Sequence, residues 1–215
     1  WVQPRRVAKS SYVRGFLFTQ INMSVRIILI RHAETSWNRQ KRYCGLNDIP
    51  LSRIGIKQAN ELRNRLKKHC INKIYSSDMR RTVQTAKILF GERGIIKIPC
   101  LQEINFGVFE GLTYKQIIKK YPFEYKKWLD NPYKFSIPKG ENLKTFKKRI
   151  RGAFKKIIDS NKNKTIAVVI HGGAISIFIN TLLRTNDFWA YIPKTATFSL
   201  IEYNNGRPDL KLFNQ

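Results

Sequence analysis

The sequence predicts a single α/β domain of three layers, α/β/α, around a mostly parallel central sheet, with a partly helical insertion over one end. Three observations carry this. From Val25 onward, short apolar runs alternate with stretches of helical spacing, the pattern of strand–helix–strand units. Two of these runs, 25–30 and 165–170, each end at a histidine: Arg31-His32-Ala33-Glu34-Thr35 follows the first and His171-Gly172-Gly173 the second. The length, 215 residues with 42% hydrophobic content, suits one globular domain able to bury a core.

Taken in order, strands are expected at 25–30, 73–76, 95–98, 165–170, 196–203 and 210–213. Ser52 is a plausible N-cap, and Ile56, Ala59, Leu62 and Leu66 recur after it at helical spacing. Asp78 is a candidate cap for a helix running to Phe90. Leu143, Phe146, Ile150, Ala153 and Ile157 mark a third helix at three-four spacing. Ala174 to Leu183 is almost wholly apolar, a helix to bury against the sheet. Residues 104–140 are rich in aromatics and carry Pro122, Pro132 and Pro138. They read as the insertion.

Residues 1–24 stand apart as a basic extension. They hold Arg5, Arg6, Lys9 and Arg14, and the first acid anywhere is Glu34. They lack the apolar core of a secretory signal and loosely share the composition of a transit peptide. With Met23 just ahead of the first strand, the favoured reading is a non-native or disordered segment upstream of the true start. The domain proper is expected at 25–215.

The formal charge is +27, which raises the question of a nucleic-acid or anionic-membrane partner. The cations are spread through the chain, and neither zinc-finger ligands nor an aromatic-glycine RNA-binding block accompanies them. A solvated basic surface is the preferred reading; it would also steer anionic substrates. No run of 18 apolar residues suggests a membrane span. Cys44, Cys70 and Cys100 are odd in number and widely spaced, which suits a reducing cytosol better than a disulfide framework or a zinc site. None begins a Cys-x5-Arg loop, since Pro50, Ser76 and Phe106 stand six residues on.

In an open α/β sheet, ligands bind beyond the carboxyl ends of parallel strands. Adjacent strands would therefore gather Arg31, His32 and His171 into one crevice, a site for a phosphate dianion with an imidazole to attack it. Imidazole forms covalent phosphoryl intermediates when its attacking nitrogen is neutral. Arginine's planar fork matches phosphate oxygens, and both Arg80 and Arg81 are available. Gly172 and Gly173 permit close backbone approach at a helix N-terminus, which favours anions. A carboxyl group is needed to protonate the leaving oxygen and then to activate water. Glu34, Glu103 and Glu110 are the choices. His69, late in a helix, reads as a surface residue.

Five blocks in order carry a resemblance. They are Arg31-His32-Ala33-Glu34-Thr35-Ser36-Trp37-Asn38, residues 48–59 (DIPLSRIGIKQA), residues 76–86 (SSDMRRTVQTA), residues 101–111 (LQEINFGVFEG) and His171-Gly172-Gly173. Together they resemble the histidine phosphatase, or phosphoglycerate mutase-like, superfamily. Ala33 departs from the glycine usual there. The resemblance implies His32 as nucleophile and Glu103 as proton donor. It implies Arg31, Arg81, His171, Asn38 and Gly172 as phosphate contacts, and Gly45 as a substrate contact. It assigns Glu34 to bracing the loop and turns Arg80 to solvent. It implies a cytoplasmic phosphomonoester hydrolase that needs no metal or cofactor. The substrate would be a small phosphorylated metabolite, with α-ribazole 5′-phosphate suggested by the 101–111 block. The alternatives are a phosphoglycerate mutase, or a basic nucleic-acid-binding or scaffold protein on the same fold. A homodimer is the assembly to test.

Overall fold

The computed structural model describes residues 24–92 and 94–215; residues 1–23 of the expected extension lie outside the described residues. Six strands form one sheet: β1 (Ser24–Arg31), β2 (Lys73–Ser76), β3 (Ile95–Lys97), β4 (Lys164–Ile170), β5 (Phe198–Asn204) and β6 (Arg207–Leu212). Their order is β3-β2-β4-β1-β5-β6. The pairs β2–β3, β2–β4 and β1–β4 are parallel, and β1–β5 and β5–β6 antiparallel. The helices are α1 (Ser36–Arg39), α2 (Arg53–Leu66), α3 (Arg80–Phe90), α4 (Tyr114–Lys120), α5 (Pro122–Asp130), α6 (Leu143–Asp159) and α7 (Gly172–Leu183).

Alternation along the central strands sorts the layers. Val25, Ile27 and Leu29 of β1 join Ile166, Val168 and Ile170 of β4 in one core with α6 and α7. Ile28 and Ile30 join Ala167 and Val169 in a second core with α2 and α3. Successive strand residues face opposite ways, so these apolar runs serve both cores at once. On α6, Leu143, Phe146, Ile150, Ala153, Phe154 and Ile157 are buried, and each large apolar side chain among them stabilises the fold by about 1.5–3 kcal/mol. Residues 104–140 carry α4, α5 and a small core of their own around Phe109, Ile117, Tyr125, Trp128 and Ile137.

Ser52 caps α2 as expected, its Oγ accepting from Gly55 N–H at 3.0 Å. Asp78 does not cap α3. Met79 occupies the cap position without a side-chain bond, and the Asp78 carboxylate accepts from Gln102 Nε2 at 2.9 and 3.1 Å. The acid at the start of α3 is Asp48, which accepts from Arg80 N–H at 2.7 Å. A residue distant in sequence thus replaced the local one. The last helix begins two residues before Ala174, at Gly172. The last strand begins three residues before 210, because Asn205 and Gly206 turn at φ +50° and +77° and feed Arg207-Pro208-Asp209 into an edge strand. Proline and charge are tolerated there, and they hid the strand in the sequence. His69 is half-buried rather than on the surface: it lies beyond the end of α2 with its ring 5.8 Å from that of Phe198.

Candidate active site

Parallel pairing of β1 and β4 puts Arg31 opposite Ile170, and His32 N–H donates to Ile170 O at 2.9 Å. The next residue on each strand is a histidine, so His32 and His171 meet with ring centroids 5.3 Å apart, edge to face. Beside them opens a cavity of about 220 Å³, whose walls include Arg31, His32, Asn38, Glu103, Gly172 and Trp189.

Each imidazole has a fixed tautomer. His32 Nδ1 lies 2.8 Å from Ala33 O; a carbonyl only accepts, so Nδ1 carries the proton and Nε2 the lone pair. Burial, followed by the charges of Arg81 and Arg31, pushes the His32 pKa well below its ordinary value. The imidazole is held neutral, with its lone pair on Nε2. In His171 the roles reverse. Arg81 Nε donates to His171 Nδ1 at 3.2 Å, so Nε2 carries the proton. Burial, with Arg81 next, likewise holds His171 neutral. Its Nε2 is buried and has no hydrogen-bond partner among the described residues.

Arg31 Nε is the second buried donor without such a partner, while its Nη1 donates to Pro193 O. An unpaired buried donor costs about 1–3 kcal/mol, and an oxyanion between Arg31 and His171 would satisfy both. Arg81 is almost wholly buried and already committed, with Nη1 on Asn47 O at 2.8 Å and Nη2 on Gly45 O at 2.6 Å besides His171. It is not part of the cavity lining; it holds His171 and the carbonyls of Asn47 and Gly45 in place. Arg80 is exposed.

The two glycines let charged groups reach the helix start. A Cβ on Gly172 would lie 3.0 Å from Arg31 Cζ, and one on Gly173 2.5 Å from Glu103 Oε1. Gly173 N–H, a free donor at the start of α7, donates to Glu103 Oε2 at 2.8 Å, and Ile104 N–H donates to Oε1 at 3.0 Å. Those bonds favour the carboxylate, but burial outweighs them and raises the Glu103 pKa. A carboxyl group shifted upward is the form an acid catalyst needs.

The remaining expected residues divide. Asn38 lines the cavity, with its Oδ1 accepting from Thr35 N–H and Oγ1, both at 3.0 Å, in the capping box of α1. That leaves its Nδ2 as the donor for an anion. Gly45 is beneath the wall: its N–H donates to Glu110 at 2.9 Å and its carbonyl holds Arg81. Glu34 braces the loop, accepting from Ser52 Oγ at 2.8 Å. Glu110, a rival for the acid role, accepts instead from the N–H groups of Gly45, Leu46 and Phe106 and from Asn47 Nδ2. It staples the loop whose carbonyls grip Arg81. Ala33 does not adopt a positive φ, so the change from glycine adds no backbone strain. Sequence reasoning missed Glu110's structural role and the presence of Lys41, Arg42 and Trp189 around the cavity. Basic residues in so basic a chain carry no distinguishing local signal.

No helix among the described residues is long and apolar enough to cross a membrane. The sequence profile of the histidine phosphatase superfamily (branch 1) matches residues 27–215. Phosphoserine phosphatase 1 of Hydrogenobacter thermophilus is 32% identical over 187 residues, 85% of this chain and 89% of its own. Phosphoglycerate mutase-like protein 4 of Arabidopsis thaliana is 36% identical over 69% of this chain and 67% of its own. Among solved structures, a mutant phosphoserine phosphatase of Entamoeba histolytica in complex with phosphoserine superposes with a TM-score of 0.81 at 30% identity, covering 89% of this chain and 97% of that one. The α-ribazole phosphatase of Shigella flexneri does so with 0.81 at 26% identity, covering 88% and 96%. With its two histidines meeting near Arg31, Arg81 and a buried glutamate, the chain is an enzyme that belongs to branch 1 of the histidine phosphatase superfamily.

Proposed function

We propose that the chain hydrolyses a small phosphomonoester through a phosphohistidine at His32. The observation that carries this is the pair of buried, unpartnered donors, Arg31 Nε and His171 Nε2, beside a histidine whose own Nε2 is free to attack. An oxyanion bound by them presents its phosphorus to His32. Fixed donors of this kind stabilise the charge that builds on phosphoryl oxygens.

In the first step, the His32 Nε2 lone pair forms the N–P bond while the ester P–O bond breaks. The leaving oxygen takes the Glu103 proton and departs as an alcohol. In the second, the Glu103 carboxylate takes a proton from water, the resulting oxygen attacks phosphorus, and the N–P bond breaks to release phosphate. Both steps balance with this chain's residues, the ester and water.

The cavity, about 220 Å³, falls below the roughly 300–1,000 Å³ typical of sites that enclose drug-sized ligands. That favours a compact leaving group. Phosphoserine, named in two of the similar proteins, fits this better than α-ribazole 5′-phosphate, whose leaving group is a nucleoside-like ring system. The experiment is phosphate release in excess EDTA from phosphoserine and from α-ribazole 5′-phosphate, wild type beside His32→Ala. The expected result is activity in wild type, faster on phosphoserine, and none in the variant. Isomerisation of 3-phosphoglycerate with a bisphosphate primer and no phosphate release would establish the mutase reading instead.

A further inference from the structure

A second, larger concavity lies away from the candidate catalytic cavity. It is a groove of about 930 Å³ along α6 and the end of α7. Its apolar lining includes the half-buried side chains of Tyr133, Ile158, Leu182 and Tyr203. Beneath them Phe154 and Phe178 stack at 3.6 Å between ring centroids.

Lys144, Lys148, Arg151 and Lys155 line the same groove. Their spacing of four, three and four places them on one face of α6, along about 16 Å of helix. Lys155 pairs with Asp159 at 2.6 Å. Lys144, Lys148 and Arg151 have no ion-pair partner among the described residues.

Gly152 is the second observation. It stands mid-helix, exposed and lining the groove, yet a Cβ there would meet nothing within 4 Å. Glycine is the weakest helix former after proline, and nothing among the described residues requires one at this position. It is explained if another backbone approaches α6 closely there.

We propose that this groove docks an acidic amphipathic helix of a partner protein. Its apolar side chains would seat over Ile158, Leu182 and Tyr203, its carboxylates would meet the lysine stripe, and its backbone would cross α6 at Gly152. Helix-in-groove recognition uses this combination. Like charge argues against the basic residues 1–23 and against a second copy of a chain with net charge +27. Phe154 and Phe178 face each other, so they offer little open ring surface for bases to stack on. A concave face suits a helix better than a bilayer.

The test is fluorescence anisotropy on the full chain with a labelled designed helix carrying Glu on one face and Leu on the other. Competitors are its Lys-for-Glu counterpart, oligo-dT, and vesicles of phosphatidylserine and phosphatidylcholine. The acidic helix should bind, and Lys148→Glu with Arg151→Glu should weaken it about tenfold or more, as for close charge pairs across an interface. Hydrolysis of p-nitrophenyl phosphate should not change. Gly152→Leu should raise the melting temperature, being a better helix former, and also weaken binding. Equal affinity of wild type and the charge-reversed variant would overturn the proposal. So would undiminished binding by Gly152→Leu, or stronger competition by oligo-dT or vesicles than by unlabelled acidic helix.

Discussion

Arg81 Nε donates to His171 Nδ1 at 3.2 Å, and that bond leaves the proton of His171 on Nε2, the nitrogen that has no hydrogen-bond partner among the described residues. A buried arginine outside the cavity lining thereby determines what His171 offers an anion. Lysine cannot copy the arrangement, because Arg81 makes three contacts from one planar group. Arg81→Lys should lower kcat/KM by about 10²–10³, the loss typical of one misplaced oxyanion donor. Steady-state kinetics beside a thermal melt checks this; activity within a few-fold of wild type would dissociate Arg81 from the site.

Glu110 acts one step further back. Its carboxylate accepts from three backbone N–H groups and from Asn47, fixing the carbonyls of Gly45 and Asn47 on Arg81. Glu110→Ala removes the acceptor from all four donors, two of them part-buried, at a cost of about 0.5–1.5 kcal/mol per hydrogen bond. It should lower the melting temperature and reduce kcat while leaving the pH profile in place. A shifted profile would instead point to a proton-transfer role for Glu110.

The pH profile follows from two opposed shifts. His32 must be neutral to attack, and its pKa is depressed from 6.5, so the acidic limb should fall below that value. Glu103 must be protonated to release the alcohol, and its pKa is raised from 4.5, so the alkaline limb should fall above that value as the proton is lost. The bell of kcat/KM against pH should therefore have its acidic limb below 6.5 and its alkaline limb above 4.5, and Glu103→Gln should abolish its alkaline limb. An unaltered limb in that variant would exclude Glu103 as the acid. The loss in the variant should be greater for esters with poor leaving groups.

Gly173 tests position without removing a functional group. A Cβ there would lie 2.5 Å from Glu103 Oε1, so Gly173→Ala must push the carboxyl group aside. Since alanine is also the better helix former, the melting temperature should hold while kcat drops by about 10²-fold, at the low end of a general acid's contribution. Retained activity would show that Glu103 does not need its place at the start of α7.

The meeting of the two histidines was legible because parallel strands convert sequence position into neighbourhood. Two apolar runs ending in His32 and His171 needed only to pair as β1 and β4 to bring the rings together, and they do. Alternation along β1 and β4 then explains how these apolar runs serve both cores. What was illegible depends on partners far along the chain. Asp78 is the acid next to the start of α3 in sequence, and only the fold brings Asp48 there instead. Glu103 and Glu110 are chemically identical. One is buried against the α7 N-terminus, the other receives four donors, and that difference is tertiary. The edge strand at Arg207–Leu212 has a polar, proline-containing sequence that no period-two pattern reveals.

The central claim is a phosphoryl group on His32 Nε2. Enzyme quenched in alkali during turnover, which preserves the acid-labile N–P bond, should give on peptide mass spectrometry one phosphorylated site, His32, absent in His32→Ala and accumulating in Glu103→Gln with an activated ester. Turnover with no phosphoenzyme, or with the phosphoryl group on another residue, would contradict the account.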